Sequence, residues 1–160
     1  MWQTSLWHWA CRLTGGTTAR LPGLTYATGM SRSVHTSDAP RPVGPYVQAV
    51  NAGGMVFISG QIGLDPLTGK MVQGGAKEQT TRCMLNLQAI LGVLGLDMSD
   101  VVRTTIFVTD MAGFKDVNEA YGSFFGMDPP ARSTVGVAAL PLGARVEIDA
   151  IAVRSSRSPP

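Results

Sequence analysis

The chain has 160 residues, of which 44% are hydrophobic and 15% are charged, a composition that suits one globular domain and excludes an intrinsically disordered protein. The formal net charge is only +2, and the whole excess lies before Asp38, where three arginines stand without an acidic residue. From Asp38 onward 10 basic residues stand against 11 acidic ones, so no surplus of positive charge predicts nucleic-acid binding. The sequence has no stretch of roughly 20 apolar residues, which argues against a membrane span.

Residues 1–35 have the composition of an organellar transit peptide, with arginines, many serines and threonines, and no acidic residue. Trp2, Leu6, Trp9 and Leu13 recur at helical spacing, which predicts an amphipathic helix of the kind that import receptors bind. We therefore predict a disordered transit segment over 1–35 and a mitochondrial location, with the plastid or the cytoplasm as alternatives.

Cysteine and histidine are scarce in this chain. Cys11, His8 and His35 all fall within the predicted transit segment, which leaves Cys83 as the one cysteine beyond it and leaves no histidine there. A single cysteine excludes a disulfide framework and offers too few soft ligands for a metal cluster. The missing histidine excludes the usual Ser/His and Cys/His catalytic pairs and most zinc sites, so we predict no metal site.

The pattern of apolar residues beyond the transit segment predicts seven regular elements. Strand-like runs flank a turn at Gly53 and Gly54, which predicts a β-hairpin. Two later segments repeat apolar residues with a period near 3.6, which predicts amphipathic helices that end at Gly95 and Gly126. The elements are strands at 46–51 and 55–61, a helix at 76–94, a strand at 101–108, a helix at 114–124, and two strands between Pro129 and Val153. This ββαβαββ order predicts an α+β fold, a mixed sheet with two helices packed on one face.

The last two predicted strands each place a single charge among apolar residues. In the first strand, alternation puts Arg132 and Thr134 on one face and Ser133 on the other. In the second strand, Glu147 lies opposite an apolar face. That face consists of Val146, Ile148, Ala150 and Ala152. Arginine matches a carboxylate or phosphate through two parallel hydrogen bonds, yet ordinary surface or paired charges give the same pattern, so both interpretations stay open on the residues alone.

Two helices cannot cover both faces of the predicted sheet. Ile58, Ile106, Val135 and Ile151 cannot all lie beneath the helices while their neighbours also stay dry. The bare face needs another cover, so we expect the chain to form an oligomer. Periodicity does not decide between a dimer and a trimer.

Five blocks of the chain match one known family in their order and spacing as well as in their letters. The blocks are GPYVQAV (44–50), VFISGQIGLDPLTG (56–69), VNEAYGSFFG (117–126), PARSTV (130–135) and LPLGARVEIDAIAV (140–153). They resemble the RidA/YjgF family of enamine/imine deaminases, and five blocks are far more specific than one short motif. We accordingly assign 36–154 to a RidA-like domain and 155–160 to a flexible C-terminal tail.

The resemblance implies chorismate-mutase-like subunits in a homotrimer, with the sheets forming a central barrel and a ligand cleft at each subunit interface. It also implies the reaction, which is hydrolysis of 2-aminoacrylate or 2-iminobutanoate, released by pyridoxal-phosphate enzymes, to a 2-oxo acid and ammonia. Because the imine carbon is already electrophilic, the site has only to hold the carboxylate, place a water and handle protons. The expected partners are small 2-imino and enamino acids, and no metal or organic cofactor is expected.

By the same resemblance, Arg132 binds the substrate carboxylate through two hydrogen bonds, and Glu147 orders and polarises the attacking water. Gly60 lets the main chain approach the substrate, although a glycine at a strand bulge gives the same sequence. Tyr46 lines the cleft or is simply a tyrosine on an exposed edge. Asn118 lies off the apolar stripe of its predicted helix and is expected to contact the ligand of a neighbouring subunit.

The chain departs from the family pattern at two positions. Thr134 stands where many members carry cysteine, and Val47 stands where serine often follows the tyrosine. Thr134 keeps a hydroxyl group for hydrogen bonding but excludes thiol chemistry at the site. Val47 makes the cleft less polar, which is expected to shift the substrate preference.

Two other classes of function remain as alternatives. Some relatives are described as endoribonucleases or translation inhibitors, but the charge balance of −1 beyond the transit segment and the lack of an aromatic-basic stripe argue against nucleic acid. The other class is a trimer that binds small carboxylates, or acts as a chaperone, without turnover. Retention of both Arg132 and Glu147 on matching segments favours the deaminase.

Overall fold

The computed structural model describes residues 32–154, which fold into one six-stranded sheet with two α-helices. The strands are β1 (Ser33–Val34), β2 (Ala49–Ala52), β3 (Met55–Ile62), β4 (Val101–Val108), β5 (Ala131–Gly136) and β6 (Val146–Val153). The helices are α1 (Ala76–Gly92) and α2 (Phe114–Gly122). The predicted α+β fold with its ββαβαββ order is confirmed, and the short strand β1 is added at its start.

The strands lie in the order β1-β2-β3-β6-β4-β5 across the sheet. Every neighbouring pair is antiparallel except β4 and β5, which are parallel, so the sheet is mixed as predicted. The last strand of the chain, β6, lies between β3 and β4, whereas β5 forms an edge. This order places Glu147 near the centre of the sheet and Arg132 at its margin.

Both helices pack on one face of the sheet through the apolar stripes that their sequences predict. Cys83, Leu87 and Ile90 of α1 are fully buried. In α2, Val117 is fully buried and Tyr121 is 4% exposed. They form a single core with the predicted apolar face of β6, whose residues alternate strictly with partly exposed ones. Burial of these stripes, rather than intrinsic helix propensity, is the main source of helix stability.

The ends of three elements differ from the predicted ones. β2 begins at Ala49 rather than at residue 46, since Ala49, opposite Ile58, is the first residue of its register with β3. α1 ends at Gly92, and Gly95, with a φ of +65°, completes the turn that follows. α2 ends at Gly122 rather than near Gly126, because the next backbone N–H groups, those of Phe124 and Phe125, bond to carbonyls three residues back.

Strand β1 lies before the predicted start of the domain at Thr36. Ser33 and Val34 pair with the first half of β2, and the exposed His35 follows directly. The prediction that the folded part contains no histidine is therefore wrong, because pairing with β2 extends the ordered chain toward the N-terminus. The rest of the predicted transit segment and the tail at 155–160 lie outside the described residues, so the mitochondrial location stays a prediction.

The helices leave the opposite face of the sheet bare, as expected for a sheet with only two helices. Ile58 and Ile106 are buried beneath the helices, whereas Val135 is 43% exposed and Ile151 is partly exposed on the other face. Phe57 is 43% exposed on that face as well. A contiguous apolar surface of this kind is typical of an interaction site, which fits the predicted oligomer.

Candidate functional site

The predicted site residues lie in and beside two clefts. The glutamate cleft, with a volume of about 430 Å³, is lined by Arg41, Tyr46, Gln48, Gly60, Pro141 and Glu147, among others. The arginine cleft, with a volume of about 540 Å³, is lined by Asn118, Tyr121, Phe125, Pro130 and Arg132, among others. Both volumes fall in the range of sites for small molecules.

In the glutamate cleft, the Glu147 carboxyl group lies against the backbone of Gly60. β3 bulges at Ser59 and Gly60, where its register with β6 shifts. A β carbon built on Gly60 would lie 2.8 Å from Cδ of Glu147, closer than real β carbons approach. Gly60 is therefore a bulge glycine, and its missing β carbon leaves room for the Glu147 carboxyl group, whereas its approach to a substrate stays a prediction.

The Glu147 side chain is half-buried and makes no hydrogen bond or ion pair with any residue of the 32–154 region. Burial raises the pKa of its carboxyl group above the ordinary value of 4.5, and the nearby charge of Asp149 raises it further. A carboxyl group with a raised pKa holds and releases a proton closer to neutral pH. Glu147 is thus suited to accept a proton from a bound water and to return it.

Gln48 holds one wall of the glutamate cleft in place. Its side chain is 2% exposed. Nε2 donates to the backbone carbonyls of Thr36 at 3.0 Å, Ala39 at 3.1 Å and Pro40 at 2.9 Å, and Oε1 accepts from the N–H of Thr36 at 2.7 Å. Residues 36–40 contain no helix or strand, so these bonds take the place of a ladder. The polar residue between apolar neighbours in the GPYVQAV block is the sequence signal for this role.

Replacing Gln48 by alanine is expected to lower the free energy of unfolding by about 2–4 kcal/mol, because buried backbone groups at 36–40 lose their partners and a cavity opens. Chemical denaturation followed by circular dichroism measures the change. Gln88→Ala is the matched control, since Gln88 is exposed on α1, where alanine favours the helix. Equal unfolding midpoints for the two variants would show that something other than Gln48 holds residues 36–40.

Tyr46 lies at the rim of the glutamate cleft with 48% of its surface exposed. Its hydroxyl group accepts a hydrogen bond from the N–H of Val43 at 3.3 Å. The ring thus lines the cleft from a position where solvent still reaches it, which suits a contact with a ligand rather than a catalytic role.

In the arginine cleft, Arg132 extends from the edge strand β5 over the rings of α2. Its Cζ atom lies 4.9 Å from the centroid of the Tyr121 ring and 5.7 Å from that of Phe114. Stacking on aromatic rings orients a guanidinium group without using its N–H donors. Arg132 forms no ion pair within the described part of the chain, so these donors remain available to an anion.

Two buried polar atoms on the same side of β5 lack a hydrogen-bond partner in the described structure. They are Oδ1 of Asn118, which lines the arginine cleft, and Oγ1 of Thr134, two residues beyond Arg132. By contrast, the Tyr121 hydroxyl is paired with Oγ1 of Thr104 at 2.8 Å. An unpaired buried polar atom costs about 1–3 kcal/mol, so Asn118 and Thr134 are suited to contact a polar ligand or a bound water.

One chain does not bring the two predicted catalytic residues together. β4 separates β5 from β6. The Arg132 side chain lies on the helical side of the sheet, whereas Glu147 lies on the face that the helices leave bare. Each cleft therefore holds only one half of the predicted site.

Cys83 takes no part in either cleft. Its sulfur lies 3.7 Å from the backbone oxygen of Val146, and complete burial raises the pKa of the thiol far above its usual range, so it stays protonated and unreactive. Among residues 32–154, no group of three or more His, Cys, Asp or Glu side chains is placed to hold a metal ion. None of the helices in this range is long and apolar enough to cross a membrane.

Comparisons with known proteins show what this chain is similar to. The family model described as Endoribonuclease L-PSP matches residues 36–154. The chain is 56% identical over 124 residues to Protein DfrA of Myxococcus xanthus, which covers 76% of this chain and 95% of that protein. It is 47% identical over 121 residues to 2-iminobutanoate/2-iminopropanoate deaminase of Mus musculus, which covers 76% and 90% of the two chains.

A solved structure agrees with the fold as well. The structure of E. coli TdcF with bound serine has a TM-score of 0.75 to this chain at 41% sequence identity, over 78% of this chain and 100% of that one. That protein therefore shares the α+β architecture and binds a small amino acid.

Proposed function

This chain belongs to the RidA/YjgF family, and from that premise we propose that it hydrolyses 2-aminoacrylate and 2-iminobutanoate to 2-oxo acids and ammonia. The observation that carries the proposal is the pair of complementary half-sites. One is a stacked arginine without a carboxylate partner in residues 32–154, and the other is a carboxyl group with a raised pKa in a cleft.

A complete site requires two copies of the chain. We propose a homotrimer in which the arginine cleft of one subunit meets the glutamate cleft of the next. Arg132 lies at an edge strand, where a neighbour has access, and the bare apolar face of the sheet provides the surface for assembly. The site then combines Arg132, Asn118 and Thr134 of one subunit with Glu147 and Gly60 of another.

The proposed chemistry uses one water molecule and regenerates the protein. 2-Aminoacrylate first tautomerises to its imine, whereas 2-iminobutanoate is an imine already. Arg132 binds the carboxylate through two hydrogen bonds, which fixes the imine carbon relative to Glu147. No residue forms a covalent bond to the substrate, so threonine in place of cysteine at position 134 is compatible with turnover.

Glu147 carries protons in both halves of the reaction. Water adds to the imine carbon while Glu147 accepts one of its protons, and Glu147 passes that proton to the imine nitrogen, which gives a carbinolamine and restores the carboxylate. Glu147 then transfers the hydroxyl proton to nitrogen, the C–N bond breaks as the C=O bond forms, and ammonia leaves. The imino acid and one water thus become the 2-oxo acid and ammonia.

A coupled assay tests the proposal. Threonine dehydratase generates 2-iminobutanoate from threonine, and the formation of 2-oxobutanoate is followed with and without the full chain. We expect the chain to accelerate the release beyond the spontaneous rate. A rate equal to the spontaneous one would transfer support to carboxylate binding without turnover or to action on RNA.

Replacing Gly60 by alanine is expected to lower kcat about tenfold, because the new β carbon displaces the Glu147 carboxyl group from its place against the backbone. The coupled assay measures the change. Gly92→Ala is the matched control, since a β carbon on this exposed glycine of α1 meets no atom within 4 Å. Unchanged kcat for Gly60→Ala would mean that Glu147 does not work from this position.

A further inference from the structure

Arg41 is a second arginine that borders the candidate site, in the glutamate cleft that also holds Glu147. It stands between Pro40 and Pro42, and each proline limits the local backbone: Pro40 has a fixed φ, and the residue before Pro42 is restricted to extended conformations. The Gln48 side chain binds the carbonyl of Pro40 at 2.9 Å. Arg41 is therefore presented from a fixed corner rather than from a free loop.

The charge of Arg41 has no partner in the described part of the chain. Its side chain is exposed and forms no ion pair within residues 32–154. Among the described residues that line the glutamate cleft, Arg41 is the only basic one and Glu147 the only acidic one. The cleft thus presents a guanidinium group at its wall that the proposed reaction on a monocarboxylic substrate does not use.

The glutamate cleft is also larger than the substrates named above require. Its volume of about 430 Å³ exceeds that of a four-carbon imino acid. The volume lies near the lower end of the range found for pockets that bind drug-sized molecules. Arg132, supplied by the neighbouring subunit, holds the carboxylate beside the imine carbon. In the proposed site a substrate side chain would extend from the imine carbon into the glutamate cleft, whose wall includes Arg41.

We propose that Arg41 binds a second carboxylate, located on the substrate side chain, and thereby selects 2-imino dicarboxylic acids over 2-imino monocarboxylic ones. The inference rests on the proposed function and adds a class of substrate to it. A guanidinium group pairs with a carboxylate through parallel hydrogen bonds, and an alkyl side chain offers it no such partner. 2-Iminosuccinate, the imine of aspartate, is a small acid of this class. One CH₂ group separates its second carboxylate from the imine carbon.

The experiment compares two imines with the full chain. Aspartate oxidase generates 2-iminosuccinate from L-aspartate, and threonine dehydratase generates 2-iminobutanoate from threonine. Trapping the remaining imine with semicarbazide gives kcat/KM for each, after the spontaneous rate is subtracted. The measured quantity is the ratio of the two kcat/KM values, the dicarboxylic one divided by the monocarboxylic one.

Arg41→Ala is expected to lower this ratio about tenfold, and Arg41→Lys about threefold, because lysine keeps the charge but not the planar fork. Raising the salt concentration to about 0.5 M should reduce the wild-type ratio, since the rim of the cleft is open to solvent. Arg154→Ala is the matched control, because Arg154 is an exposed arginine whose guanidinium binds the carbonyl of Leu94 at 2.6 Å, outside both clefts.

Two results would overturn the inference while the deaminase proposal stands. One is an unchanged ratio in Arg41→Ala, whether both rates persist or both fall equally. The other is a wild-type chain that accelerates hydrolysis of 2-iminobutanoate but not of 2-iminosuccinate. A wild-type chain that accelerates neither reaction would overturn the proposed function itself. The two failures are therefore distinguishable within one set of measurements.

Discussion

Arg132→Ala is expected to lower kcat/KM for 2-iminobutanoate by about 10²- to 10⁴-fold, which corresponds to the loss of two charge-assisted hydrogen bonds of about 1.5–3 kcal/mol each. The carboxylate loses its anchor, so the imine carbon is no longer held beside the water that Glu147 activates. Arg132 contacts rings rather than carboxylates in the described chain, so its removal should leave the fold intact. The coupled assay gives the kinetic change, and light scattering together with thermal unfolding reports on assembly.

Two further variants identify the cause of this loss. Arg132→Lys should recover only part of the activity, because a single ammonium group cannot bind a carboxylate in the planar two-bond geometry. Arg154→Ala should match the wild type, since it removes an arginine from outside both clefts. A failure of Arg132→Ala to assemble would instead make Arg132 a structural residue of the interface and remove it from the proposed site.

Glu147→Gln is expected to lower kcat by about 10²-fold or more with little change in KM, because the amide cannot accept a proton from water. Glutamine has nearly the same shape, so the contact with Gly60 and the packing of β6 should persist. Steady-state kinetics on 2-iminobutanoate measures the change. Glu119→Gln is the control, because it removes only the exposed ion pair with Lys77. An exposed ion pair contributes about 0–1 kcal/mol to the free energy of unfolding, so this variant should keep the wild-type kcat.

The raised pKa of Glu147 gives the same variant two pH signatures. The wild-type rate should fall as the pH drops through the folded pKa, which lies above the ordinary 4.5, and Glu147→Gln should lack that limb. In stability the sign is opposite to that of a salt-bridged carboxyl group. Between pH 4.5 and the folded pKa the folded state binds more protons, so wild-type stability falls as the pH rises through this window. Glu147→Gln should therefore be the more stable protein at neutral pH and lose this advantage below pH 4.5.

The two inactive variants together test whether the site lies between subunits. When Arg132→Ala and Glu147→Gln chains are unfolded and refolded as an equal mixture, a quarter of the interfaces combine an intact Arg132 with an intact Glu147. About one quarter of the wild-type activity should then return. If both residues served one chain's own site, the mixture would stay as inactive as its components, and the proposed arrangement of the clefts would be wrong.

The sequence alone was sufficient for features that depend on neighbours along the chain. The alternation in β6 predicted which face of the strand is buried and that Glu147 lies on the other face, because successive side chains of a strand face opposite ways. The apolar periods of α1 and α2 predicted their buried stripes, and the two glycines at Gly53 and Gly54, both with positive φ, marked the turn between β2 and β3. The five blocks that resemble the RidA/YjgF family predicted the family that the comparisons show.

Features that join distant segments were decided only by the tertiary structure. The pairing of β1 with β2, the hold of Gln48 on residues 36–40 and the contact between Glu147 and Gly60 all bring together residues whose positions no local pattern relates. The separation of Arg132 from Glu147 follows from the insertion of β4 between β5 and β6. Strand order arises from the packing of the whole sheet against its helices, since burial and hydrogen bonding are optimised together there, whereas periodicity reports only which face of each element is buried.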